Sequence, residues 1–299
     1  MIRMSLIIST RNRASSLRDC LEWLLDAREP CEWELVVVDN GSTDSTKSVV
    51  RRFAARTSFP VQYLYEDIPG LSRCRNKGLE AARGDIVLFI DDDCYAESGY
   101  LAAAFELLDS PGVDYFGGRV ILHDPDDAPV TIKTETTSEY FAPGSFLRAG
   151  VVHGANMGFR RDVIEQIGGF NEGLGAGTPV AAGEDIEYIA RASAAGFRGG
   201  YFPTPVVRHH HRRKKGQTAH LTRGYDIGRG AYYVSMILHG CNAMRYAKGW
   251  LQTVSWRTRR TYMGELRGAM QYIAAFGRAR LEGKSLIPRF AGVHFDPAA

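Results

Sequence analysis

Four apolar, largely β-branched runs recur in the first third of the chain: SLIIST (5–10), WELVVVD (33–39), VQYLY (61–65) and DIVLFID (85–91). Continuous runs of this length predict strands buried on both faces. Between them the period changes to that of a helix. In ASSLRDCLEWLLDA, residues Leu17, Leu21, Leu24 and Leu25 fall on one side, and STKSVVRRFAA and LSRCRNKGLEAA follow the same rule. Strand and helix alternate, which predicts an α/β fold: a mostly parallel sheet covered by helices on both faces. Such sheets bind ligands beyond the carboxyl ends of their strands. Asp39 and the triplet Asp91, Asp92, Asp93 stand at two of those ends.

The pattern weakens beyond residue 120. HDPDDAPVTIKTETTSEYFAPG (123–144) is polar and turn-rich and predicts a mobile excursion. VVHGANMGF then predicts a strand, RDVIEQIG a helix, GGFNEGLGAGTPVAAGED a glycine-rich loop, IEYIARASAAG a helix and YFPTPVVRHHH (201–211) a last strand. From about residue 217 helices are expected. Ala247, Trp250, Leu251 and Val254 share one face, and Tyr262, Leu266, Ala269, Ile273 and Phe276 another.

Composition narrows the class. With 299 residues, 44% of them hydrophobic, the chain can bury a sizeable core; length alone suggests one or two domains of ~150 residues. No uninterrupted apolar run reaches the ~18 residues of a membrane-spanning helix, and the N-terminal apolar run is too short for a secretory leader. A cytosolic protein is expected. Five cysteines without a CxxC pair argue against a disulfide framework or zinc site. The net charge of +3 hides an asymmetry. Residues 1–207 carry 20 Lys/Arg against 30 Asp/Glu, whereas residues 208–290 carry 17 against 3. A basic segment on an acidic body suggests an anionic surface or partner.

Several short stretches carry candidate chemistry. In VVVDNGSTDST, Ser42 or Asp44 suits a helix cap, while Asp39 at a strand tip can accept hydrogen bonds from a ribose or a base edge. Arg73, Arg75 and Lys77 open a helix after a glycine-containing turn, either as a solvated face or as cations meeting a diphosphate. Glu184 and Asp185 suit a helix N-terminus by charge alone. RHHHRRKK (208–215) admits a basic run, a soft-metal site or a strand-end histidine beside the acids. Strand alternation puts His209 and His211 on one face. Arg212 and Arg213 stand within reach of a diphosphate.

The order of SLIISTRNR, VVVDNGSTDST, GLSRCRNKGLEAARGDIVLFIDDD, GGFNEGLGAGTPVAAGEDIEY and VVRHHHR resembles that of family 2 glycosyltransferases over roughly residues 4–215. LGAGTP followed by GED is similar to bacterial members that build exopolysaccharide or lipopolysaccharide-type glycans. The resemblance implies a GT-A fold and inverting sugar transfer from a nucleoside-diphosphate donor, uridine-linked by preference, to an acceptor hydroxyl on a glycan or lipid-linked glycan. It makes Asp185 the general base. It assigns Thr10, Arg11, Asn12, Arg13, Asp39, Arg75 and Lys77 to the nucleotide, and groups Asp92 with them without a defined task. Asp91 and Asp93 match the two acids of the DxD motif. Asp93 and one histidine, His209 as the best match, would ligate Mg²⁺ or Mn²⁺, and Asp91 would approach the ribose or the ion. His153, Asn156 and Glu184 would shape the donor-sugar and acceptor pocket.

Residues 1–216 are thus expected as the catalytic domain, with 1–122 for the nucleotide sugar and 123–216 for the acceptor, and 217–299 as a basic helical extension. Three roles compete for 217–290: a cap on the catalytic domain, a homodimer interface, or an amphipathic surface docking on anionic lipid at the inner face of the membrane. Trp250, Trp256 and Tyr262 suit each of them. Nucleic acid is not expected, because the basic run lacks a reading motif. A sugar-1-phosphate nucleotidyltransferase would carry glycines and a lysine after the first strand, which STRNRASS lacks. DDDCY does not meet the phosphatase pattern DxDxT/V. A carbohydrate- or lipid-binding scaffold without catalysis is the remaining rival.

Overall fold

A computed structural model describes residues 2–26, 31–254 and 258–290. In chain order the elements are β1 (Met4–Thr10), α1 (Ala14–Leu24), β2 (Trp33–Asp39), α2 (Thr46–Ala54), β3 (Val61–Tyr65), α3 (Leu71–Ala81), β4 (Ile86–Asp91), β5 (Cys94–Ala96), α4 (Tyr100–Asp109), β6 (Tyr115–Leu122), β7 (Glu139–Phe141), β8 (Asn156–Arg160), α5 (Arg161–Ile167), α6 (Glu184–Ala194), β9 (Gly199–His209), α7 (Ala219–Leu238), α8 (Ala243–Val254) and α9 (Arg259–Leu281). All strands join one sheet in the order β3-β2-β1-β4-β8-β6-β9-β5, with β7 paired to β9. The first four run parallel, β8 is antiparallel to β4 and β6, and β9 is parallel to β6. Strand order turns back between β1 and β4, so their carboxyl ends flank a switch point. Register places Thr10 beside Asp39 and Ser9 beside Asp91.

Alternation along the strands explains the continuous apolar runs. Leu6, Ile8, Leu35, Val37, Leu88 and Ile90 pack with α1, α2 and α4 on one face. Ile7, Val36, Val38, Val87 and Phe89 pack with α3, α5 and α6 on the other, where α7 and α8 add Tyr232, Tyr233 and Tyr246. Each such aliphatic side chain contributes about 1.5–3 kcal/mol by leaving water.

The amino ends of the strands are held by one carboxylate. Fully buried Glu34 accepts bonds from Ser5 Oγ (2.7 Å), the Arg83 N–H (2.7 Å), Gln62 Nε2 (2.8 Å) and the Arg83 guanidinium (2.8 and 2.6 Å). It thereby ties β1, β2, β3 and the turn into β4. Burial alone would raise its pKa; the hydrogen bonds, led by those of Arg83, outweigh it and lower the value.

Three expectations need correction. Residues 123–144 are tied down: β7 lies on β9, Lys133 bridges Val120, and buried Asp127 accepts from the Arg212 N–H and Lys214 Nζ. The last strand ends at His209, short of His211, and the chain turns at Arg212 with φ +59°. The buried faces of α8 and α9 are also rotated from those expected. Leu251 and Ile273 are exposed, whereas Tyr246, Gly249, Glu265, Gly268 and Tyr272 face inward. Trp256 and the Val254 side chain lie outside the described residues. The reason is glycine-mediated contact. A Cβ on Gly230 would stand 1.9 Å from the Glu265 carbonyl oxygen, and one on Gly268 1.9 Å from that of Ile227, so α7 and α9 meet backbone to backbone.

Glu34→Gln is expected to destabilise the protein by about 3 kcal/mol in urea unfolding at neutral pH, through lost charge-assisted bonds. Because the native pKa is lowered, that stabilisation is complete above the unfolded value near 4.5 and fades as pH falls below it. The variant and parent curves should converge in acid. Gly268→Val should lower the melting temperature by forcing α7 and α9 apart, while Met270→Val, two residues further along the helix, should leave it nearly unchanged.

Candidate active site

The end of β9 is buried against the turn after β4, and that turn and the carboxyl ends of β1 and β4 meet in one cleft. Its first recess is lined by Ser9, Thr10, Arg11, Arg13, Asn40 and Asp91. Its second is lined by Arg75, Asp91, His153, Glu184, Asp185 and Tyr225, among others. Asp91 belongs to both, as do Leu71 and Ala176, so the recesses are continuous. The glycine-rich loop closes one side, where the Leu71 N–H at the start of α3 donates to the Ala176 carbonyl (2.8 Å).

The three aspartates have different surroundings. Asp91 keeps a third of its side chain exposed and faces Arg75 Nη2 at 3.6 Å. Asp92 is buried, accepting from Thr10 Oγ1 (2.6 Å) and pairing with Arg13 Nη1 (2.9 Å). Asp93 is buried too, between Arg13 Nη2 (2.5 Å) and His209 Nε2 (3.4 Å). Burial pushes Asp92 up to about 7, Arg13 opposing and Asp93 reinforcing the shift. Burial would raise Asp93 as well, but the bond and charge of His209, then Arg13, bring it below the usual carboxylate range. Asp92 therefore fastens the Thr10–Arg13 turn to the triplet, a task its place in the sequence did not reveal.

The histidines point three ways. His209 faces Asp93. His210 Nδ1 meets the Tyr95 hydroxyl at 2.8 Å. His211 donates from Nε2 to the Ala128 carbonyl (2.8 Å) and accepts the Arg213 N–H at Nδ1 (3.0 Å). His211 lies beside His209, their ring centroids 4.9 Å apart, but both its ring nitrogens are engaged, which leaves His209 to face the triplet. Asp93, Cys94 and His209 place donor atoms within 4.8 Å of one another. Burial raises the Cys94 thiol far above its usual pKa, which leaves carboxylate and imidazole as the effective donors. His209 Nδ1 is buried without a hydrogen-bond partner. An acid and an imidazole that ligates in its neutral form, beside further carboxylates, fit an oxygen-preferring divalent cation such as Mg²⁺ or Mn²⁺.

In the second recess, Gly183 is left-handed (φ +97°) and α6 begins at Glu184. Asp185 lines the cleft while accepting the Gly154 N–H (2.7 Å) and the Ile186 N–H (2.8 Å). Glu184 lies beneath it and pairs with Arg75 Nη1 (2.8 Å). Burial and the Asp185 charge push Glu184 up to about 7 against the pull of Arg75. Burial lowers the His153 pKa despite nearby Asp185, favouring a neutral ring.

Other expected residues sit away from the opening. Asp39 is 2% exposed with both oxygens engaged, by the Ser42 N–H (2.8 Å) and the Tyr63 hydroxyl (2.7 Å). Asn12 accepts the Thr43 N–H (2.8 Å), tying two loops together. Lys77 pairs with Glu66, Arg73 with Glu172 and Arg212 with Asp19, so these cations are engaged elsewhere. Asn156 is buried and donates to the carbonyls of Arg119 and Pro205. Sequence reasoning missed Thr131, Tyr225 and Arg229, which line the second recess. The Thr131 and Tyr225 hydroxyls meet at 2.9 Å, and Arg229 is held by Asp226 and by Glu265 (2.5 Å). The glycines of TRGYDIGRG were the available signal for α7 packing closely there.

Comparison with known proteins identifies the family and the fold. The family model described as Glycosyl transferase family 2 matches residues 5–168. Glycosyltransferase AglE of Haloferax volcanii is 28% identical over 235 residues, 78% of this chain and 74% of its own. The mannosyltransferase PcManGT of Pyrobaculum calidifontis, solved with GDP-Man and Mn²⁺, aligns with a TM-score of 0.60 at 21% identity, covering 94% of this chain and 76% of that one. Staphylococcus aureus TarS 1–349 with UDP-GlcNAc aligns with a TM-score of 0.57 at 17% identity over 99% of each chain. The fold is GT-A, and the chain belongs to glycosyl transferase family 2.

Proposed function

We propose that the chain transfers a sugar, with inversion, from a nucleoside-diphosphate donor to a hydroxyl of a glycan or lipid-linked glycan. Uridine is the favoured base, although the structural relatives include complexes with UDP-GlcNAc and with GDP-Man. The observation that supports this reading is that Asp91 and Asp185 line one continuous cleft, with the buried Asp93–His209 pair next to Asp91 at the end of β4.

The donor nucleotide would occupy the first recess, its diphosphate approaching Arg11 and Arg13. Asp93 and His209 would hold a divalent cation, with Asp91 beside it, and that cation supplies charge neutralisation for the departing nucleoside diphosphate. The acceptor would enter the second recess. Asp185, fixed by the Gly154 N–H, takes the proton of its hydroxyl as that oxygen bonds to the anomeric carbon. The bond from that carbon to the diphosphate oxygen breaks on the opposite face, which inverts the centre. Arg75 binds Glu184 below the base and faces Asp91, giving the halves a common support.

Turnover of a nucleotide sugar found by thermal-shift screening with Mn²⁺ tests the reading. Asp185→Asn should lower kcat at least about 100-fold, the lower bound of general-base assistance, with donor affinity retained. Donor binding with no turnover in the parent chain would identify a binding scaffold instead. Asp93→Asn and His209→Ala should each weaken Mn²⁺ binding measured by calorimetry. Arg75→Gln should destabilise the fold by about 3–5 kcal/mol, because it leaves buried Glu184 uncompensated. Adding Glu184→Gln should recover part of that loss.

A further inference from the structure

The described exposed apolar residues are unevenly placed. Of twelve large ones, seven lie between residues 238 and 281, including Met244 (88% exposed), Leu251 (73%), Met263 (57%), Met270 (64%) and Leu281 (90%). In α9, Met263, Met270 and Leu281 fall within about one-eighteenth of a turn of a single line, with Ile273 to one side. They are on the side opposite Glu265, Gly268 and Tyr272, which pack on the protein. Arg267 and Arg278 share the outward side and are exposed. α9 has 23 residues and is about 34 Å long.

Charge along this stretch has one sign. Residues 243–281 contain eight Lys/Arg and one Asp/Glu. That acid, Glu265, is fully buried and accepts from Arg229 and from Trp250 Nε1 (2.8 Å). The exposed surface of α8 and α9 therefore combines apolar side chains with arginines and no carboxylate. Exposed apolar groups in one area mark an interaction surface. Interleaved cations select a partner that is both negatively charged and apolar just beneath its surface. An anionic bilayer has that layering: headgroups attract the arginines, and methionine side chains reach the acyl boundary.

We infer that the outer face of α9 docks the protein on an anionic lipid surface. The inner side of α9 holds Arg229 through Glu265, and Arg229 lines the second recess. Docking would thus bring that recess close to molecules carried by the membrane. Among the described residues no helix is long and apolar enough to cross a membrane, so contact of α9 is at the surface. Binding of lipid needs no chemistry, and this inference stands or falls apart from the proposed reaction.

Cosedimentation of the full chain with vesicles decides it. The protein should bind vesicles containing phosphatidylglycerol and not those of phosphatidylcholine alone, with weaker binding in high salt. Arg267→Gln/Arg278→Gln should lower affinity for the anionic vesicles about 30-fold, each cation being worth about fivefold near such a surface. Met263→Ser/Met270→Ser should remove the binding that survives high salt. Both variants should keep the parent's melting temperature and circular dichroism, since these side chains are exposed. Equal partition onto both vesicle types, no partition, or unchanged affinity in the arginine variant would overturn the inference. So would a concentration-dependent doubling of mass that the methionine variant abolishes, which would assign the face to a second copy of the chain.

Discussion

A buried arginine organises this molecule. Arg75 stands on α3, 3% exposed, with its guanidinium directed at Glu184 of α6, at Asp91 of β4 and at the Gly154 carbonyl, and stacked over Phe170. A buried guanidinium is costly without partners, so carboxylates gather around it. Those carboxylates come from separate parts of the chain, one ending the parallel half of the sheet and one opening the helix beyond the glycine-rich loop. The residue that neutralises the buried charge thus also sets the spacing between the two recesses.

The same accounting explains the triplet. Three adjacent carboxylates are tolerable because each has counterparts, Arg13 serving two of them: Arg75 for Asp91, Thr10 and Arg13 for Asp92, Arg13 and His209 for Asp93. Burial raises Asp92 and its neighbours lower Asp93, so the charge is divided unevenly. The middle acid shapes the loop, leaving its neighbours turned towards the cleft and towards His209. At the opposite end of the strands Glu34 is saturated with donors and stands apart from the residues that line the two recesses.

Much of the parallel half was legible because burial on both faces leaves uninterrupted apolar runs at β1, β2 and β4, while β3, at the sheet edge, keeps an apolar run though it is only half-buried. β6 was not, because Gly117 and Gly118 interrupt its run. A Cβ on Gly117 would come within 2.3 Å of Val152, so the strand needs glycine where propensity disfavours it. Within the site, local sequence showed which residue types would stand at strand ends but not which lone pairs would remain free. Asp39 stands at a strand end as expected, and the sequence did not show that Tyr63, on the neighbouring strand, donates to one of its oxygens. Nor did it show that Lys77 pairs with Glu66. Tyr225 and Arg229 reach the recess through packing between distant segments, for which helical periodicity carries no signal.

The contact between α7 and α9 has a consequence for how this protein can change. Gly230 and Gly268 let carbonyl groups of one helix lie where the other would otherwise carry side chains. The separation of the two axes is then fixed by covalent main-chain dimensions instead of by rotamers. Replacement on the outside of α9 leaves that separation, and the position of Arg229, undisturbed. The outer surface can diverge from one relative to another while the wall of the cleft keeps its shape.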